Sequence, residues 1–268
     1  VTNTDGTIES QVRSNGNFSV VSYSGDGVLG NVGHGLNDAP AFLIIKRHNA
    51  NGQWRCWHSG LPSTKSIDLN ESLAAFDDVS FDGKAPTDSV ITLQGGVANV
   101  NTAGSDYILY CWAESPTQSF GSYTGGTNNN KITLGFKPDY LLIKVTNTDD
   151  SWLIFDSARN PVNPADDILQ ANSSEAESTG NSNAINFLAD GFQLASTQGG
   201  TNGSGNTYIY AAFAGNSDAT VLELTDDTGL TEFSPGDDVV QNGSGTPVSS
   251  AITKVMPLNL GISNASGL

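Results

Sequence analysis

The chain contains the same module twice, and this repeat constrains the fold more than any single residue does. Phe18–Glu114 aligns with Phe120–Gly215. The matched pairs include Tyr23/Tyr123, Pro40/Pro138, Trp54/Trp152, Ser59/Ser157 and Tyr107/Tyr208. Length changes fall between Gly35 and Pro40 and after Ser59, as expected of surface loops. A duplicated scaffold is typical of a structural or binding array, and is less usual for an enzyme, which needs one catalytic constellation.

The repeat predicts the domain organisation. We expect an N-terminal segment (1–15), two β-sandwich repeats (16–116 and 117–216) and a small β unit with a linker-like end (217–268). The chain carries 11 basic and 28 acidic residues, a net charge of −17. So few basic residues cannot neutralise phosphates, which excludes nucleic acid as a partner. No apolar run approaches the length of a membrane span, so we expect no membrane insertion.

Each repeat shows a β pattern throughout, with short apolar or aromatic strands between turn signals. In repeat 1, Ala41–Lys46 and Gln53–His58 flank Asn51-Gly52, a strong hairpin signal because both residues of a tight turn take positive φ. An aromatic strand closes each repeat, at Asp106–Trp112 and Thr207–Phe213. The fold class predicted is all-β: tandem antiparallel β-sandwich modules, followed by a small β-barrel-like C-terminal unit.

Two further local predictions follow from the pattern. A turn or two of helix is expected at Asn163–Ile168, where Asn163 could cap it and Pro164 would take the first helical position. Only Ser115–Gln118 joins the repeats, so we expect them to pack against each other.

The dinucleotide-like run Gly25-Asp-Gly27-Val-Leu-Gly30 is interpreted as a hairpin loop, because the following residues cannot start the helix that a pyrophosphate site requires. The three histidines are His34, His48 and His58, and their spacing fits no metal site. The residues that align with them in repeat 2 are Leu134, Thr146 and Asp156.

The repeat also indicates how the sulfur and aromatic side chains are used. Cys56 and Cys111 align with apolar residues, which favours two buried thiols over a disulfide. Several aromatics could form a sugar-stacking platform, but their bulk is kept in both copies, which favours a core role. These are Trp54, Trp57, Tyr107, Tyr110 and Trp112.

The acidic residues are interpreted as solvated loop acids, with two alternatives. A carboxylate pair for glycoside hydrolysis could come from the acids that cluster in repeat 2, namely Asp156, Asp166, Asp167, Glu175 and Glu177. Calcium ligands could come from three acidic pairs, although none has the spacing of a complete calcium loop: Asp149-Asp150, Asp226-Asp227 and Asp237-Asp238. We predict no catalytic, cofactor-binding or metal-binding residues.

Several stretches resemble a repeated domain of virion proteins of tailed bacteriophages, particularly marine and cyanobacterial ones. They are Phe155–Asn160, Asp190–Phe192, Gly203–Ala214 and, in repeat 1, Tyr110–Glu114. Repeat 1 departs from the pattern, because it has Trp57-His-Ser59 where repeat 2 has Phe155-Asp-Ser157. The resemblance covers about residues 16–215 and brings with it no catalytic residues.

The resemblance implies a structural or adhesive segment of a tail fibre or similar virion appendage, acting in host attachment. It implies a homotrimer located in the virion, with neighbouring virion proteins as partners, no enzymatic activity and no cofactor. The first alternative is a carbohydrate-binding module that contacts host polysaccharide through an exposed aromatic patch. The second is a polysaccharide depolymerase, which requires two carboxylates in a cleft. If one repeat alone binds a receptor, the loops that differ, 35–40 and 59–93, are where we expect the site.

Overall fold

The structure is a computed structural model that describes residues 1–127 and 129–215. Within these residues every regular element is a β-strand. The strands of the first part of the chain are β1 (Thr2–Asn3), β2 (Ser10–Ser14), β3 (Phe18–Ser24), β4 (Gly30–Gly33), β5 (Phe42–Arg47), β6 (Trp54–His58), β7 (Lys65–Asp68), β8 (Phe76–Asp77), β9 (Val90–Leu93) and β10 (Asp106–Trp112). Repeat 2 contains β11 (Gln118–Thr124), β12 (Lys131–Thr133), β13 (Tyr140–Val145), β14 (Leu153–Asp156), β15 (Leu169–Gln170), β16 (Ile185–Leu188), β17 (Gly191–Leu194) and β18 (Thr207–Phe213).

The two repeats have the same sheet topology. The large sheet of repeat 1 has the order β1-β2-β3-β10-β5-β6-β7-β8, and that of repeat 2 has the order β11-β18-β13-β14-β15. The run β3-β10-β5-β6-β7 therefore matches β11-β18-β13-β14-β15 strand for strand. A small sheet faces each large one, β4-β9 in repeat 1 and β12-β17-β16 in repeat 2. The pairings are antiparallel, and the predicted all-β sandwich fold is confirmed.

Strand alternation sends side chains of each large sheet into two different cores. In β10, Tyr107, Leu109 and Cys111 are buried against the small sheet of repeat 1. Repeat 2 has the equivalent core between its own large and small sheets. These two cores are the insides of the two predicted sandwiches.

A third core joins the repeats, because the outer faces of the two large sheets pack together. Repeat 1 contributes Phe42, Ile44 and Ile67, and repeat 2 contributes Leu142 and Ile209. The layers therefore run small sheet, large sheet, large sheet, small sheet. Packing between the repeats, as the short linker predicted, is confirmed, and the described residues belong to one compact unit, Val1–Ser217. The domain limits at residues 16–116 and 117–216 stay predictions.

A tyrosine pair and a buried asparagine recur at the same place in each repeat. Tyr23 stacks on Tyr107 with ring centroids 5.2 Å apart, and Tyr123 stacks on Tyr208 at 4.9 Å. Fully buried Asn101 accepts a hydrogen bond from the Asp26 N–H (3.0 Å) and donates one to the Val28 carbonyl (2.7 Å). Asn202 in repeat 2 does the same for the N–H of Gly126 (2.9 Å) and the carbonyl of Thr127 (3.0 Å).

One local prediction was wrong, and a second was right about the hairpin but wrong about the conformation of its turn. Residues 163–168 form no helix, because their polar groups pair with neighbouring segments instead: the Asn163 side chain bonds both backbone groups of Phe187, and Ala165 bonds Ile185 in both directions. The hairpin of β5 and β6 exists, but neither Asn51 nor Gly52 takes positive φ. The loop is held instead by Asn99, which accepts the Gln53 N–H at 3.0 Å, and by Lys46, which donates to the Gly52 carbonyl.

Residues 25–30 form no helix, as predicted, but they are not a hairpin loop. They cross from the large sheet to the small one, because β3 pairs with β2 and β10, whereas β4 pairs with β9. The barrel-like C-terminal unit predicted at 217–268, with its acidic pairs at 226–227 and 237–238, lies outside the described residues.

We expect Asn101→Ala to lower the free energy of unfolding by about 1–3 kcal/mol. The substitution removes the buried side-chain amide and leaves the Asp26 N–H and the Val28 carbonyl without the hydrogen bonds that it makes. Urea denaturation followed by tryptophan fluorescence measures the loss. Asn49→Ala is the control, since its side chain is exposed and its bond to Asp106 is 3.2 Å long. Equal losses in the two variants would contradict a clamping role for Asn101.

Candidate functional site

A surface depression lies where the two repeats meet, and we call it the junction groove. Its volume is about 610 Å³. Repeat 1 contributes the loop after β6, the start of β7 and the segment before β8. Repeat 2 contributes the end of β11, the residues that follow β13 and the start of β18. The lining residues are Gly60, Leu61, Pro62, Lys65, Ala74, Ala75, Ser122, Tyr123, Thr124, Thr146, Asn147, Thr207 and Tyr208, and neither tyrosine is exposed.

A buried histidine fixes the repeat 1 side of the groove. His58 is fully enclosed between Phe42 and Phe120, with ring centroids 5.5 Å and 6.4 Å away. Its Nδ1 accepts the Gly60 N–H at 2.9 Å, so Nε2 carries the proton and donates to the Tyr210 carbonyl at 3.0 Å. Burial lowers the pKa of His58 to about 4. This histidine therefore connects the two repeats as a neutral side chain.

A buried lysine holds the opposite side of the groove. Lys144 is fully enclosed, and its ammonium donates to the carbonyls of Ser72 (3.1 Å) and Val145 (2.9 Å). Burial lowers its pKa to about 8, although the charges of Asp150 and Asp149 oppose the shift. The carboxylate of Asp149 accepts the Ala74 N–H at 2.8 Å. Asp149 thus secures repeat 1 on repeat 2, and the other two acidic pairs proposed for calcium lie outside the described residues.

The groove offers hydroxyl and amide groups but no catalytic constellation. Thr146 and Thr207 hydroxyls lie 2.7 Å apart, and Lys65 is paired with Asp77 at 3.1 Å. None of the lining residues is a carboxylate, a cysteine or a histidine. The groove can therefore bind a polar ligand by hydrogen bonds, but it holds no nucleophile with a neighbouring base.

Repeat 1 has a groove of about 550 Å³ at the equivalent position. Ser22, Ser24, His48 and Asp106 line it where repeat 2 has Ser122, Thr124, Thr146 and Thr207. The repeat 1 groove is acidic, because Glu9 and Asp26 join Asp106, whose carboxylate accepts the Ser24 hydroxyl at 2.7 Å. Within residues 1–127 and 129–215, no three His, Cys, Asp or Glu side chains gather as metal ligands.

A third cleft, of about 690 Å³, contains the carboxylates that the depolymerase alternative requires, at Asp77, Asp78 and Asp82. Each carboxylate forms a salt bridge with a positively charged side chain. Asp77 pairs with Lys65, Asp82 with Lys84 at 2.6 Å, and Asp78 with Arg55 at 2.7 Å. Burial raises the pKa of Asp78, but the Ser66 hydroxyl and the Arg55 charge outweigh it, and the net shift is downward. A general acid for glycoside cleavage needs the opposite shift.

Two of the five acids that cluster in repeat 2, Asp156 and Glu177, pair with Arg159, and the Asp167 carboxylate accepts the Asn160 side-chain amide instead. The guanidinium contacts the carboxylates of Asp156 (2.6 Å) and Glu177 (2.8 Å) and donates to the carbonyls of Asp167 and Ile154. Burial raises the pKa of Asp156, but hydrogen bonds from Arg159 lower it further than burial raises it. These groups fix the loop after β14, which agrees with a structural role for them.

The aromatic residues proposed as a sugar platform do not share one surface. Trp57 and Tyr107 belong to the repeat 1 core, whereas Trp54, Tyr110 and Trp112 face the shared core and are half-buried. The ring of Trp112 stacks on Phe42 at 5.4 Å and also contacts Phe18 at 5.1 Å. No aromatic side chain within the described ranges is exposed.

The cysteines and the remaining histidines also have structural positions. Cys56 and Cys111 are buried and free, as predicted. They face different cores on strands separated by β5, which excludes a disulfide between them. His34 is fully buried and His48 is exposed.

Sequence reasoning missed the buried ion-pair cluster that holds the β6–β8 edge. Arg55 contacts Asp68 at 2.8 Å and Asp78 at 2.7 Å, and its guanidinium lies 4.8 Å from the ring centroid of Phe76. Arg55 aligns with Leu153 of repeat 2, and this contrast was the only signal in the sequence.

Among the described residues, no helix is long and apolar enough to span a bilayer.

Replacing Arg55 by Met should cost about 3–5 kcal/mol of unfolding free energy, because two buried carboxylates lose their counter-charge. Chemical denaturation at neutral pH measures it. Lys84→Met is the control, since its pair with Asp82 is more exposed and should contribute less than about 1 kcal/mol. A loss for Arg55→Met no larger than the control would contradict the cluster's role.

His58 should make stability fall as the pH is lowered. Its folded pKa of about 4 lies below the ordinary 6.5, so between these values the unfolded chain binds a proton that the folded protein excludes. Stability should fall from pH 6.5 to pH 4 by about 3 kcal/mol from this residue. His58→Gln should remove that part of the slope in pH-dependent urea titrations, whereas His48→Gln should keep it. An unchanged slope in His58→Gln would disprove the assignment.

Comparison with known proteins gives a family but no activity. The model of a family described as a domain of unknown function, DUF7483, matches residues 1–217. The match covers both repeats and coincides with the compact unit Val1–Ser217. No curated protein and no solved structure matches the chain. Since the match extends over most of the sequence, the chain belongs to the DUF7483 family.

Proposed function

We propose that this protein is a structural and adhesive segment of a bacteriophage tail fibre or similar virion appendage, acting in host attachment without enzymatic activity. The observation that carries the proposal is the third core, which joins the duplicated sandwiches through Phe42, Ile44, Leu142 and Ile209. A block whose repeats share apolar surface resists being pulled apart, which suits a load-bearing appendage. The sequence resemblance to virion domains supports the same role.

The clefts favour binding over catalysis. The junction groove is lined mainly by hydroxyl-bearing and apolar side chains, together with Lys65 and Asn147. Every carboxylate of the third cleft is paired with a lysine or an arginine. A depolymerase would need one unpaired, protonated acid beside a second carboxylate. Binding without bond cleavage is therefore the activity that these sites suit best.

A host glycan is the second candidate ligand, and the hydroxyls of Ser122, Thr124 and Thr207 in the junction groove favour it. The exposed aromatic patch expected of a carbohydrate-binding module has no counterpart among the described side chains. A glycan would therefore bind through hydrogen bonds in the groove rather than by stacking on a ring.

Light scattering and immunoelectron microscopy test the proposal together. The purified full chain should have a mass three times the 27.9 kDa of one chain, as a homotrimer. Antibodies raised against it should label an appendage of the virions that encode it, and the chain should release no reducing ends from host polysaccharide. A monomer with unlabelled virions would refute the structural role, and the release of reducing ends would refute the non-enzymatic one.

Glycan binding has a separate test. Thr207→Val should weaken binding of host lipopolysaccharide at least severalfold, because it removes a groove hydroxyl without changing side-chain shape. Thr133→Val, on an exposed position of β12, is the matched control. Binding that is absent in the parent protein, or equal in both variants, would eliminate the glycan alternative at this groove.

A further inference from the structure

Within residues 1–127 and 129–215, the large sheet of repeat 2 ends in an open edge at a position where repeat 1 is covered. In repeat 1, β3 pairs on its outer side with β2, with Gln11 opposite Ser22 and Val12 opposite Val21. The equivalent strand β11 pairs only with β18, and it is the outermost described strand of its sheet. The difference arises because the short linker, and no copy of residues 1–14, precedes repeat 2.

The edge of β11 presents backbone groups outward. The bonds from the Ala214 N–H to the Thr117 carbonyl and from the Gly125 N–H to the Asn206 carbonyl fix which residues face β18. By strand alternation, Phe120, Ser122 and Thr124 then point their N–H and C=O groups away from the sheet. Two of these outward groups are already bonded: the Glu114 carboxylate accepts the Phe120 N–H at 2.7 Å, and the Thr124 carbonyl accepts the Asn130 side-chain amide at 3.1 Å. The outward groups of Ser122 have no partner among the described residues.

No described segment covers the apolar strip beside this edge either. In repeat 1, Tyr23, Val32, His34 and Leu36 are buried, and the N-terminal segment covers them. Its residues Ile8 and Val12 belong to the same core, and the Ile8 N–H donates to the Asn31 carbonyl at 2.9 Å.

The equivalent residues of repeat 2 are less buried. Tyr123, Ile132, Leu134 and Phe136 are only half-buried, although they occupy the positions that are enclosed in repeat 1. Among the described residues, repeat 2 therefore has no segment that covers its backbone edge and its apolar strip as residues 1–14 do in repeat 1.

We propose that this open edge binds an extended segment of another polypeptide, which pairs antiparallel with β11 and covers the strip. Repeat 1 specifies its chemistry: apolar side chains at alternate positions, like Ile8 and Val12, facing the strip, and polar ones between them facing outward. Addition of a strand to an exposed sheet edge is a general mode of peptide recognition.

A second copy that pairs its own β11 with this edge fits less well. The inward side chains of β11 are Ser119, Gly121 and Tyr123. Two of these three are too small to cover Leu134 and Phe136. The donor is therefore a segment of the Thr7–Ser14 type rather than a second β11.

Disulfide trapping tests both the site and its register. A peptide of residues 5–15 carrying Gln11→Cys is mixed with the full-length Ser122→Cys protein, because the β2–β3 register places residue 11 opposite position 122. Facing residues of an antiparallel pair lie within disulfide range, so this cysteine should react about tenfold faster than one placed at Glu9 or Arg13 of the peptide. The native cysteines are both buried and should not compete.

Two controls separate strand addition from chance collision. Ser22→Cys places the thiol at the equivalent position of repeat 1, where β2 already occupies the edge, and it should not be trapped. A peptide in which Ile8 and Val12 are both replaced by Asp should lose the trapping at Ser122→Cys. Equal rates for the two proteins, equal rates for the three peptide positions, or a protein dimer linked through position 122 in place of the peptide adduct would each overturn the proposal.

Discussion

Packing of the two large sheets against each other is the interaction on which the rest of the structure depends. Each large sheet buries apolar side chains on both faces, one toward its own small sheet and one toward the other repeat. The second burial removes from water a face that an isolated sandwich would expose, and hydrophobic burial of this kind is the dominant stabilising term in folding. His58 and Lys144 cross the same boundary with polar groups whose hydrogen bonds are satisfied. The duplication has therefore produced one block rather than two modules on a tether.

Once the scaffold is shared, divergence between the copies shows which positions are free to take new roles. The tyrosine pair and the buried asparagine are kept because both copies need the same loop fixed on the same strand. The equivalent grooves differ, acidic in repeat 1 and hydroxyl-lined in repeat 2. Two of the three clefts include residues from the 59–93 region, where the sequence indicated that a copy-specific role should be sought.

Much of the fold could be predicted from the sequence, because strand alternation and the repeat act over short distances. The pairs Trp54/Trp152 and Tyr107/Tyr208 located the strands and indicated core positions. The β5–β6 hairpin was predicted, but the conformation of its Asn51-Gly52 turn could not be. That conformation depends on side chains outside the turn, since Asn99 and Lys46 hold the loop. The Asn163 helix failed for a related reason: its cap residue bonds Phe187, on a strand later in the chain.

The candidate site was harder to predict than the fold. The junction groove exists only where the two repeats meet, and no local sequence pattern indicates which loops of the two repeats will lie next to each other. The Arg55 cluster needs the β6–β8 meander to bring Asp68 and Asp78 to one guanidinium. The open edge of β11 was implicit in the repeat alignment, because residues 1–15 have no second copy, but its meaning required knowing that β2 covers β3.

Native-state hydrogen exchange in increasing denaturant tests most directly whether the repeats form one cooperative block. The amides of Leu43 and Ile45 report on repeat 1, and those of Leu141 and Ile143 on repeat 2. A shared core predicts that both sets exchange by the same global opening, with the same free energy and the same denaturant dependence. Exchange of one set through a lower-energy opening, while the other set stays protected, would contradict it.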